Sequence, residues 1–102
     1  MTSLPDSICR VLVRGRVQGV GFRAWVERAA LSRGLVGWVR NRADGSVEAV
    51  FAGPSADVEA MIAACRKGPR ASRVDALDQQ EGSVADLAMR RPGELFSVLA
   101  TI

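Results

Sequence analysis

The chain has 102 residues, and 14 Lys+Arg against 11 Asp+Glu leave a net charge of +3 because histidine is absent. This length points to one domain, residues 1–102, able to bury about 65% of its unfolded surface and so to hold a core without metal or disulfide staples. Hydrophobic residues at 48% and charged residues at 25% exclude disordered, collagen-like and coiled-coil classes.

Nothing in the opening MTSLPDSICR resembles a signal peptide, and no apolar run nears the ~20 residues that a bilayer crossing needs. A soluble, cytoplasmic protein with no membrane partner is expected. Cys9 and Cys65 stand alone, without CxxC spacing or a histidine to complete a zinc set, so each reads as a small buried hydrophobe and no metal site is expected. The lack of His and Tyr excludes histidine triads and imidazole proton shuttles. Charge is uneven: residues 1–42 carry eight arginines against Asp6 and Glu27, whereas residues 43–102 carry six basic and nine acidic groups. An anionic partner for the N-terminal half is one reading of this bias, and a set of solvated arginines is the other.

In chain order, Cys9 to Val13 is an apolar, β-branched first strand ending at Gly15, followed by a glycine-rich loop from Gly15 to Gly21. Phe22, Trp25, Val26, Ala29 and Ala30 then recur with the spacing of a one-faced helix, which Gly34 stops. Leu35–Asn41 and Ser46–Ala52 form a hairpin around Asp44-Gly45, with Trp38 and Phe51 expected as cross-strand neighbours. A second helix follows, with Ser55 as N-cap, Asp57 and Glu59 in the first turn, Val58, Met61, Ile62 and Cys65 facing inward, and Gly68-Pro69 as the stop. Arg73–Gln79 is a strand, Gln80–Gly93 a loop, and Leu95–Ile102 a closing strand with Phe96, Val98, Ala100 and Ile102 on one side. The order predicts an α+β, ferredoxin-like α/β sandwich: β-α-β-β-α-β plus an extra C-terminal strand, with two helices packed on one face of the sheet.

A glycine-rich segment leading into a helix start presents backbone N–H groups and the positive end of the helix dipole to an anion. Arg23, about 100° around the axis from the inward Phe22, is free to offer its planar fork over the loop mouth. The spacing matches neither GxxxxGK[ST] nor GxGxxG, so nucleoside triphosphates and dinucleotides are disfavoured. Asn41 on its own reads as turn chemistry ahead of Asp44-Gly45.

The segment Gly15-Arg16-Val17-Gln18-Gly19-Val20-Gly21-Phe22-Arg23 resembles the first signature of the acylphosphatase family, and Gly37-Trp38-Val39-Arg40-Asn41 through Asp44-Gly45-Ser46-Val47 resembles the second. The seven specified positions of GxVQGVxFR recur by chance in such a chain on the order of once in a million. The resemblance implies metal-independent hydrolysis of the carboxyl–phosphate anhydride of small acyl phosphates by a monomer, without cofactor, and with inorganic phosphate or sulfate as a competing anion. By the same resemblance, Arg23 and the backbone of Arg16, Val17, Gln18, Gly19, Val20, Gly21 and Phe22 hold the phosphate, and Asn41 orients the attacking water. Against this stand two other readings. One is a non-catalytic anion- or RNA-binding module, suggested by the fold plan and a pI near 9.7. With Phe51 as the only aromatic of its strand, stacking platforms are missing and no nucleic-acid partner is expected. The other is an accessory domain like the acylphosphatase-like segment of larger carbamoyl-transfer maturation proteins, which the short chain disfavours.

Overall fold

The computed structural model describes residues 6–102; residues 1–5 of the expected 1–102 domain lie outside the described residues. The elements are β1 (Ser7–Arg16), α1 (Phe22–Ser32), β2 (Val36–Asn41), β3 (Val47–Gly53), α2 (Ser55–Lys67), β4 (Arg73–Glu81), α3 (Val84–Leu87) and β5 (Phe96–Val98). They build one five-stranded mixed sheet in the order β4-β1-β3-β2-β5, in which only β5 runs parallel to its neighbour. This is the ferredoxin-like α+β sandwich that the element order predicts.

Strand alternation decides what lies on each side of the sheet. Val11, Val13, Val39, Val47, Ala49, Phe51 and Phe96 point toward the two long helices, where Phe22, Val26 and Ala30 of α1 and Val58, Met61, Ile62 and Cys65 of α2 close the core. Cys65 is fully buried, and removal from water pushes its thiol up to about 12. Cys9 is only half-buried, so the expectation of two buried cysteines holds for one of them.

The opposite face is covered too, which explains why all but the last residue of β3 is buried. Register puts Phe51 opposite Gly37, and Trp38 opposite Val50. Trp38 and Phe51 therefore lie on opposite sides of the sheet, and the expected pairing fails by one residue. Phe51 stacks on Phe96 in the core, whereas Trp38 lies beneath the Arg40 guanidinium and donates from Nε1 to the Asp86 carbonyl.

The segment read as a loop from Gln80 to Gly93 is the cover on that side. β4 continues to Glu81, and Ser83 is the N-cap of α3, its hydroxyl accepting from Asp86 N while the Asp86 carboxylate accepts from Ser83 N. A single turn held by this capping box has no apolar periodicity to betray it. The closing strand is shorter than expected, since Ala100 and Ile102 are exposed and residues 99–102 follow β2 through separate bonds, Leu99 N to Val39 O and Ile102 N to Asn41 O. Pro54, not Ser55, occupies the N-cap of α2, its carbonyl accepting from Asp57 and Val58. Gly15 belongs to β1, where the register with β4 shifts after Arg14.

Candidate active site

Between the end of β1 and the start of α1 the chain makes a short curl whose apolar side chains turn inward. Val17 and Phe22 are buried and Val20 packs against the core, so three anchors hold the loop while Gly19 and Gly21 between them are exposed. Gly19 and Gly21 take φ of +74° and +80°, left-handed values that side-chain-bearing residues rarely adopt. Gly21 is also the N-cap of α1. Among the described residues, none of the N–H groups of residues 18–21 donates to a backbone carbonyl. With the unpaired first-turn N–H groups of α1, they form a cluster of donors at the positive end of a helix.

A cleft of about 290 Å³ opens here, lined by Val17, Gln18, Gly19, Gly21, Phe22, Arg23, Ala24, Glu27, Asn41 and Val98. It brings together Arg23 and Asn41, which are 18 positions apart in sequence. Arg23 is the second residue of α1 and half-buried, and among the described residues it makes no ion pair. Asn41 ends β2 on the helix-covered side of the sheet, and its side-chain Oδ1 is buried without a hydrogen-bond partner among the described residues. Of the other expected residues, Arg16 and Val20 do not line the cleft. Arg16 ends β1 opposite Arg73 of β4, and Val20 is turned into the core.

The side chain of Gln18 has a structural part that its place in the loop did not reveal. Its Nε2 donates to the carbonyls of Arg42 and Ser46, at 2.8 Å each, and so clips the loop onto the neck of the β2–β3 hairpin next to Asn41. Its signal in the sequence is a lone amide within an otherwise small and apolar VQGVG stretch. The hairpin is itself tightly closed. Arg42 N donates to Ser46 O, Gly45 N donates to Arg42 O, and Asp44 Oδ1 accepts from both the N–H and the hydroxyl of Ser46. Those two hydrogen bonds hold the Asp44 carboxyl below its ordinary value. Glu27 and Val98, which sequence reasoning passed over as site residues, complete the wall of the cleft.

The family model described as acylphosphatase matches residues 9–87. The chain belongs to the acylphosphatase family. It is 60% identical over 93 residues to an acylphosphatase of Rhodopseudomonas palustris strain BisB18, a match covering 91% of this chain and 94% of that protein. Two solved acylphosphatase structures share its fold. The one from Bacillus subtilis has a TM-score of 0.76 at 36% identity, covering 90% of this chain and 97% of that one. The one from Coxiella burnetii has a TM-score of 0.82 at 30% identity, covering 97% and 100%.

In this acylphosphatase fold both signature segments end at the same cleft, because β1 and β2 flank β3 and α1 starts where β1 stops. Among the described residues, no helix is long and apolar enough to cross a membrane, and no group of three His, Cys, Asp or Glu side chains is placed to hold a metal ion.

Proposed function

We propose that this chain hydrolyses small acyl phosphates to a carboxylate and inorganic phosphate, with the phosphoryl group held by the loop N–H groups and Arg23 and the attacking water oriented by Asn41. The observation that carries this reading is the buried, unpartnered Asn41 Oδ1 in the cleft shared with Arg23 and the loop. An unsatisfied buried acceptor costs about 1–3 kcal/mol, a cost removed when a water donates to it.

The chemistry suits a chain without histidine. The water oxygen forms a bond to phosphorus as the bond from phosphorus to the acyl oxygen breaks, and the leaving carboxylate takes the electron pair. Its conjugate acid has a pKa near ~4, so it departs without a general acid at neutral pH. The water proton passes to an oxygen of the phosphoryl group. Arg23 and the loop amides spread the charge on the equatorial oxygens, which is the main catalytic demand in phosphoryl transfer. The chain works in this reading as a cytoplasmic monomer, and inorganic phosphate or sulfate competes for the same donors.

Phosphate release from benzoyl phosphate without added metal is the test. Arg23→Ala is expected to abolish turnover and inhibition by inorganic phosphate. Asn41→Ala is expected to lower kcat while leaving the phosphate inhibition constant nearly in place. Wild-type rates in both variants would overturn the assigned roles.

A further inference from the structure

Beyond the groups given to phosphate and water, the cleft has a second part made by Ala24, Val98 and Glu27. Glu27 follows Arg23 by four residues on α1, so the two side chains share a helix face, displaced about 6 Å along the axis. An Arg and a Glu at this spacing are able to pair on a helix surface, yet among the described residues these two do not, and both line the cleft instead. Arg23 is the only basic residue and Glu27 the only acidic one among the lining residues. The cleft is therefore polarised, with cationic and N–H donor groups at one end and Glu27, a half-buried residue, one helical turn away.

We infer that Glu27 is a specificity-determining residue, selecting acyl phosphates whose acyl group is neutral or carries a cation and disfavouring those that carry a second carboxylate; this rests on the phosphate site proposed above. With the phosphoryl group seated against the loop and Arg23, the acyl tail lies over Ala24 and Val98, both uncharged, and its far end comes beside Glu27. An ammonium there gains Coulomb attraction, and a carboxylate meets a like charge in a cleft where water screens only partly. The carboxylate is at the far end of the substrate from the reacting bond, so it sorts substrates without touching the reacting atoms.

The test uses benzoyl phosphate and its meta-carboxylate and meta-aminomethyl derivatives, with kcat/KM measured for the wild type, Glu27→Gln and Glu27→Lys. The readout is the ratio of the aminomethyl to the carboxylate derivative, compared between proteins so that intrinsic substrate reactivity cancels. Glu27→Gln is expected to lower this ratio roughly tenfold, the size of a charge interaction over several ångströms in a partly screened site. Glu27→Lys is expected to lower it further. An unchanged ratio in both variants would overturn the inference, as would an equal loss on all three substrates. Failure of the underlying reading looks different, because the wild type would then release no phosphate from any of the three.

Discussion

Gln18 and Arg42, 24 positions apart, are joined by a 2.8 Å hydrogen bond from the Gln18 side-chain nitrogen to the Arg42 carbonyl. The same nitrogen reaches the Ser46 carbonyl, so one amide ties the glycine-rich loop to the strand end that presents Asn41. Gln18→Ala removes both donors and is expected to cost about 1–2 kcal/mol of stability. The inhibition constant for inorganic phosphate should rise and kcat should fall together, since both halves of the site lose their common fixture. Thermal denaturation and steady-state inhibition measure the two effects.

Glu48 is a carboxylate with 2% of its side chain exposed, on the sheet face away from the cleft. Arg10 grips Oε2 while Arg40 and Arg42 share Oε1, at 2.7 and 3.0 Å. Removing it leaves three guanidinium groups facing one another, and Glu48→Gln is expected to destabilise the fold by about 3 kcal/mol in urea unfolding.

Burial alone raises the Glu48 pKa, but the hydrogen bonds and charges of Arg40 and Arg10 outweigh it and hold the group below its ordinary value of 4.5. A carboxyl depressed in the folded state adds stability that is present above the unfolded pKa and lost as pH falls through the folded one. Unfolding free energy measured from neutral pH downward should therefore decline once the pH passes below 4.5. The decline should be shallower in Glu48→Gln.

Gly21→Ala isolates backbone strain from crowding, because a Cβ at this position meets nothing within 4 Å. With φ at +80°, the substitution is expected to cost about 1–2 kcal/mol, or a shift of the curl away from its left-handed turn. The expected outcome is a melting point lowered by several degrees and weaker phosphate inhibition.

Trp38→Phe keeps a ring under Arg40 but removes the 2.7 Å hydrogen bond to the Asp86 carbonyl that fastens α3 to the sheet. A loss of about 1 kcal/mol is expected, with kcat unchanged because the residue sits across the sheet from the cleft. Calorimetry beside the benzoyl phosphate assay checks both.

The helices and the hairpin were legible because their signals are local. The stripe from Phe22 to Ala30 and the inward set Val58, Met61, Ile62 and Cys65 repeat at helical spacing, and Asp44-Gly45 marks its own turn. Trp38 was misplaced because β3 carries apolar residues on both faces, Val50 and Ala52 on one and Val47, Ala49 and Phe51 on the other, so alternation gives little sign of which residues share a face. The turn of α3 escaped notice because it rests on Ser83 and Asp86, two residues ordinary in any loop. At the cleft, Arg23, Asn41 and the glycine curl were legible as motif, while Glu27 entered only as one of the two acidic residues in the basic N-terminal half.

Periodicity, turn residues and two short signatures, all properties of neighbouring positions along the chain, were enough to set the order of the strands and the two long helices and to single out Arg23, Asn41 and the glycine-rich loop. The register that separates Trp38 from Phe51, the bond from Gln18 to a hairpin far along the chain and the convergence of three arginines on Glu48 were settled only in the folded molecule. Each depends on which strand lies beside which, and pairing between distant segments is decided by the packing of the whole core rather than by any local preference.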